Sequence, residues 1–181
     1  MTDSLTIRPV VAEDAAPLRA FFDGVDGADL TFLPVSGPDA VDRAGVDGGT
    51  HLVALDAAGG DVAPTVVGFC GIVRGEGWSQ HVGRLGVVLD PQVRGVGLGV
   101  RLVMATLQQA LDTGLEKVFV EVRSDQQPVL SLFTGLGFQP EALLTDQLRD
   151  PEGATYDLVV LAHRVDDVRG LLTATGLGAQ A

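Results

Sequence analysis

Several residue types that carry redox, metal or charge-reading chemistry are almost missing from this sequence: it has one cysteine, one tryptophan, one tyrosine and one lysine. The lone Cys70 has no partner for an internal disulfide, and its setting in the apolar run 66–73 makes it a small buried thiol. His51, His163 and Cys70 show no metal-ligand spacing, so no metal is expected. No apolar stretch approaches the roughly 20 residues that span a bilayer, and the first ten residues are neither basic nor long enough in their apolar part for export. These absences read as a cytoplasmic chain without a membrane partner. Basic residues are scarce as well: 12 Lys and Arg against 24 Asp and Glu give a formal net charge of −12. Nucleic-acid binding requires clustered cations that release counterions, so no nucleic-acid partner is expected. The acidic surplus suits cationic partners such as amines, and equally suits simple solubility.

What is present is enough for one core: 181 residues with 46% hydrophobic content, expected to form a single domain over 1–165 and a Gly- and Ala-rich tail over 166–181. A strand is predicted at 5–9. Leu18, Phe21, Phe22 and Val25 recur at helical spacing behind Pro17, which fits a first helical turn. Residues 26–49, rich in Gly, Pro and Asp, read as a long irregular connection. Strands at 52–56, 65–74 and 82–89 form an antiparallel meander with turns at 57–64 and 75–77. Then the period changes. Val100, Val103, Leu107 and Leu111 mark a helix, 118–122 a strand, Val129, Leu132, Phe133 and Leu136 a second helix, and strands follow near 141–144 and 156–163. A meander followed by alternating strands and helices implies a mixed α/β sheet flanked by helices.

The chemistry-bearing segment lies between the strand 85–89 and the helix beginning near Gly99. There Arg94, Gly95, Val96, Gly97, Leu98 and Gly99 set three alternate glycines before a helix. Glycine lets backbone amides approach a ligand closely, and a helix N-terminus adds unpaired N–H groups and partial positive charge. Residues 91–111 contain no acid but include Arg94 and Arg101, so an anion such as pyrophosphate could sit here. A Walker A loop would need a lysine after its last glycine, and the single lysine is Lys117. A dinucleotide fold is a closer rival, with Glu121 about twenty residues on, but the glycines are spaced G-x-G-x-G instead of G-x-G-x-x-G.

The run from Arg94 to Gly99 resembles the pyrophosphate-binding signature of the GNAT acetyltransferase superfamily, set as there between a strand and a long helix. Val120, Glu121, Val122 and Arg123, then Ser124, Asp125 and Gln126, and finally Leu136, Gly137 and Phe138 are similar to that superfamily's strand, loop and helix ending. The resemblance covers about residues 5–164. It implies a mostly antiparallel sheet splayed at the cofactor site, with acetyl-CoA as co-substrate and direct transfer of its acetyl group to a primary amine. Val87, Val88 and Leu89 would offer backbone groups to pantetheine, one of them near Val87 or Val88 stabilising the oxyanion. Gly95, Val96, Gly97, Leu98, Gly99 and Val100, with Arg94, would hold the pyrophosphate, and Gln126 and Phe133 would complete the cofactor site. Phe133 stands where relatives often carry a proton-donating tyrosine, and Arg84 lies near the place of their frequent glutamate. The candidate bases here are therefore His81 and Glu121, with Asp125 and the more remote Asp157 behind them. Trp78 and Tyr156 are candidates for the acceptor pocket. The departures at Phe133 and Arg84 also suit a second reading, a non-catalytic acyl-CoA sensor or interaction module. Apolar strand residues and the tail are compatible with a homodimer.

Overall fold

The structure is a computed structural model that describes residues 5–26, 33, 50–57 and 64–165. Most of the expected connection 26–49, most of the turn 57–64 and the expected tail 166–181 lie outside the described residues. Seven strands form one sheet: β1 (Leu5–Pro9), β2 (Thr50–Asp56), β3 (Thr65–Arg74), β4 (Val82–Leu89), β5 (Lys117–Arg123), β6 (Gln139–Arg149) and β7 (Thr155–Arg164). Their order is β1-β2-β3-β4-β5-β7-β6. Every neighbouring pair is antiparallel except β4 with β5.

Strand alternation sends successive side chains to opposite faces, and β2 and β3 are apolar at nearly every position because both of their faces are covered. Leu52, Ala54, Cys70 and Ile72 pack with the helices α2 (Leu98–Asp112) and α3 (Gln127–Gly135). Val53, Leu55, Phe69 and Val88 pack instead with Leu18, Phe21 and Phe22 of α1 (Ala15–Gly24). Leu98, Leu102, Val103, Leu107 and Ala110 give α2 its buried stripe, and the helix stops where Gly114 takes a left-handed φ of 75°. No described helix is long and apolar enough to cross a membrane.

The Leu136, Gly137 and Phe138 ending of α3 is a Schellman cap. Gly137 has φ 86°, its N–H donates to Thr134 O, and the Phe138 N–H donates to Phe133 O. The cap brings Phe138 against Phe133, ring centroids 5.1 Å apart and edge to face. Burying each of these rings contributes about 1.5–3 kcal/mol.

Two expectations are corrected. The strand expected near 141–144 runs over Gln139–Arg149, because pairing with β7 continues to Arg149 and Thr155 past a register break between Leu144 and Leu148. Polar Thr145, Asp146 and Gln147 interrupt the alternation there, which is why the sequence pattern stops short. The turn expected at 75–77 extends into a 3-10 helix, Gly77–Ser79, with Trp78 at 101% exposure. Trp78 therefore stands in solvent and is not among the residues lining the cleft between β4 and β5.

Candidate active site

The site follows from one irregularity in the sheet. β4 and β5 pair only at Val82 with Lys117, Gly83 with Val118 and Arg84 with Phe119. Beyond Arg84 each strand stays with its outer neighbour, β4 with β3 as far as Leu89 and β5 with β7 as far as Arg123, so the two strands part. Antiparallel hydrogen bonds alternate along a strand. Gly75 N–H donates to Val82 O and Asp90 N–H to Val67 O, so the even-numbered residues of β4 bond to β3. The N–H and C=O of Leu85, Val87 and Leu89 consequently face the opening, whereas those of Val88 turn toward β3.

The opening is a cleft of about 670 Å³. One wall is β4 from Leu85 to Leu89, another is Val120, Glu121 and Val122 of β5, and a third is the α3 side with Gln126, Pro128, Val129, Leu132 and Phe133. Leu33 closes part of it from the α1 side. Its far end is the glycine loop. A 3-10 turn, Pro91–Val93, is held by the Asp90 carboxylate accepting from the Gln92 N–H. Arg94 then folds back, its Nε and Nη2 donating to Leu89 O at 3.2 and 3.0 Å. Gly95 and Gly97 take φ of 79° and 82°, conformations that cost other residues about 1–2 kcal/mol. Gly97 is the N-cap of α2 and has no side chain with which to cap that end. The first-turn N–H groups thus remain directed at whatever occupies the cleft's mouth, which suits an anion.

Val87, Val88, Leu89, Arg94, Gly95, Gly97, Gly99, Val100, Gln126 and Phe133, all expected in the cofactor site, line this one cleft. Val96 and Leu98 do not. Val96 is 56% exposed and Leu98 is 1% exposed within the core, so only their backbone can contribute. Of the candidate bases, Glu121 lines the cleft and His81 does not. His81 is exposed in the turn before β4, at the end where β4 and β5 are still paired, roughly 26 Å of strand from Leu89. Of the two, Glu121 is the candidate that faces the cleft. Asp157 accepts a hydrogen bond from the Asp146 N–H, away from the cleft. The sequence reading missed Leu85, Val120, Val122 and Leu132, whose apolar periodicity marks core and cleft alike.

Glu121 is bound by Arg84, Nη2 to Oε2 at 2.6 Å. Further along the same face Arg123 binds Asp125 at 2.6 Å and lies over the Tyr156 ring, 4.4 Å from its centroid. The Tyr156 hydroxyl donates to Asp150 Oδ2 at 2.9 Å, and that bond, with the nearby Asp150 charge, raises the phenol above its ordinary value. Tyr156 thus sits beside the β5 end of the site without lining the cleft. Phe133 is 2% exposed and offers the cleft only a hydrocarbon ring. Among the described residues, no three His, Cys, Asp or Glu side chains cluster as a metal site would need.

A family profile described as Acetyltransferase (GNAT) family matches residues 32–138. The mycothiol acetyltransferase of a Nocardioides species is 30% identical over 126 residues, covering 67% of this chain and 40% of that protein. That of Actinosynnema mirum is 33% identical over 121 residues, covering 66% and 37%. The chain thus spans about two fifths of the length of these relatives. Among solved structures, a GNAT-family acetyltransferase from Streptococcus pneumoniae superposes with a TM-score of 0.72 at 21% identity, covering 88% of this chain and 99% of that one. An acetyltransferase from Salmonella typhimurium, solved with its cofactor acetyl-CoA, gives 0.72 at 20% identity, with 91% and 96% covered. The profile spans both the glycine loop and the α3 cap, and the solved acetyltransferases share the overall fold, so the chain belongs to the GNAT acetyltransferase family.

Proposed function

We propose that this chain binds acetyl-CoA in the β4–β5 cleft and transfers its acetyl group to a primary amine. The observation that carries the reading is the continuity of the cleft: an apolar slot between parted strands runs into a glycine loop at an uncapped helix N-terminus. That sequence of environments matches a thioester arm ending in a pyrophosphate. The acetyltransferase names of the relatives and the acetyl-CoA bound in structural neighbours support it.

Backbone N–H groups from Gly95 to Val100 would hold the pyrophosphate, with Arg94 bracing the loop. The Val87 N–H, which faces the opening, would stabilise the oxyanion as the amine nitrogen attacks the thioester carbonyl. An alkylammonium has a pKa near 10 and must lose a proton first; Glu121, the carboxylate on the cleft wall, would take it directly or through water. The new C–N bond forms, the C–S bond breaks, and the electron pair leaves with sulfur. Phe133 cannot protonate that sulfur, and a thiol with a pKa of about 8.5 leaves well enough as thiolate. Gln126 would bond the cofactor arm through its amide. The absence of a hydroxyl at Phe133 equally suits a module that binds acyl-CoA without turnover.

Calorimetric titration with acetyl-CoA, with NAD and adenosine nucleotides as controls, tests the binding. Selective acetyl-CoA binding that Gly97→Trp abolishes is expected, and binding unaffected by that substitution refutes the site. Release of free CoA thiol that requires both protein and amine then separates the enzyme from the sensor. The amine panel begins with the acceptor of the mycothiol acetyltransferases.

A further inference from the structure

The ion pair of Arg84 and Glu121 stands at the vertex of the splay. Arg84 is the last residue of β4 in register with β5, opposite Phe119, and Glu121 lies two residues beyond Phe119, where the strands have separated. Val120 and Val122 point into the core beneath α2 and α3, so alternation sends Glu121 to the other face. Val88 of β4 is packed on the α1 side, and Arg84, four residues earlier, shares that face. The two side chains meet across the vertex at 2.6 Å, half-buried, with 35% and 25% exposure.

Two features distinguish this pair from a surface salt bridge. Arg84 Nε is buried with no hydrogen-bond partner among the described residues, an arrangement that costs stability and calls for another reason to exist. The nearby cation on β5, Arg123, is committed to Asp125 and Tyr156, so among the described residues Arg84 is the one that binds the carboxylate lining the cleft. A glutamate on a largely apolar wall would otherwise rotate toward water, since its three side-chain torsions are free and its charge is better solvated outside.

We propose that Arg84 is a positioning residue for the acyl transfer. It pins Glu121 by Oε2 at the point where the strands part, and so keeps the carboxylate directed at the incoming amine. The inference rests on the function proposed above, with Glu121 as proton acceptor. It assigns Arg84 no contact with either substrate.

The test is a double-mutant cycle on the full chain, read as CoA release with a fixed amine, with acetyl-CoA affinity measured separately. Arg84→Met should lower kcat roughly 100-fold, the low end of what a misplaced proton acceptor costs, while acetyl-CoA affinity stays within about threefold, the scatter of an undisturbed site. Arg84→Lys should recover part of the loss, because it keeps the charge but not the planar fork. In a Glu121→Gln background, Arg84→Met should cost nothing further. The exchange of Arg84→Glu with Glu121→Arg rebuilds the strut while misplacing the carboxylate, and should bind acetyl-CoA without recovering turnover. An unchanged kcat in Arg84→Met, losses that multiply in the double variant, or turnover restored by the exchange would each overturn the proposal. If Arg84→Met does not fold, Arg84→Lys in both backgrounds makes the same comparison. A wild-type protein that releases no CoA with any amine defeats the proposed function, whereas an active wild type with an equally active Arg84→Met defeats this inference alone.

Discussion

Two glycines with nearly the same backbone conformation should respond very differently to alanine. Gly97 has φ 82° and Gly137 has φ 86°. A left-handed conformation costs an L-residue about 1–2 kcal/mol, and alanine recovers about 0.4–1 kcal/mol by restricting the unfolded chain. The backbone part is therefore a net loss of about 0–1.6 kcal/mol at either site. The surroundings differ. A Cβ at Gly97 meets nothing within 4 Å among the described residues, whereas one at Gly137 falls 3.2 Å from His163 Nε2 and 3.6 Å from its Cδ2. His163 is 7% exposed, its Nδ1 lies 2.7 Å from Arg164 O, and its ring packs edge-on against Phe138 at 5.2 Å, so it has little room to give way. Overpacking of that kind adds about 1–3 kcal/mol. Urea denaturation should give losses of about 1–4.6 kcal/mol for Gly137→Ala and about 0–1.6 kcal/mol for Gly97→Ala, the difference between them being the overpacking, with unchanged slopes. Binding should show the opposite ranking. Gly97 lines the cleft, so its alanine variant should lose about tenfold or more in acetyl-CoA affinity, or about 1.4 kcal/mol, while Gly137→Ala, if folded, binds as wild type. Equal stability losses would refute the packing argument, and unchanged affinity in Gly97→Ala would count against the loop as the pyrophosphate site.

Phe133→Ala should destabilise by about 3–5 kcal/mol in the same urea assay, because it removes a buried ring and the hydrophobic contact of the Schellman cap. Tyr156 is the single tyrosine, so phenolate absorbance reads it alone; its midpoint should lie above 10.0 because of Asp150, and Asp150→Asn should bring it down. Asp14 accepts two bonds from Arg8, at 2.6 and 2.7 Å, and one from the Val11 N–H, which hold it below 3.8. A depressed carboxylate stabilises the fold above its unfolded pKa and loses that contribution as pH falls through its folded value. Urea midpoints between about pH 2 and 5 should therefore fall more steeply in wild type than in Asp14→Asn. Burial pushes the Cys70 thiol up to about 12, so a thiol reagent at about pH 8 should label the protein only after unfolding.

Periodicity made the helices and most strands readable, because side-chain alternation is a local property. The glycine loop was legible for the same reason: Gly95 and Gly97 occupy conformations that only glycine adopts freely, so the need is written at those positions. The α3 ending was visible as Leu136, Gly137 and Phe138. Its hydrogen bonds explain why that order of residues is required, with Phe138 returning to cover Phe133. β6 was cut short because its second half is held by pairing with β7, a long-range contact that polar Thr145, Asp146 and Gln147 do not announce.

The choice among candidate bases was beyond sequence. His81 has the more suitable chemistry in isolation, and Glu121 stood in a strand whose facing was unknown. What separates them in space is the place where β4 and β5 part, a property of two strands and their outer neighbours together. Sequence alone determined that a helix N-terminus free of acidic residues would follow a glycine turn after a strand, since those are constraints on φ, on Cβ and on local charge. Only the tertiary structure decided that Val87 presents its amide to the opening, that Glu121 lines the cleft and that Arg84 reaches it, because strand register and separation are set by packing among residues distant in the chain.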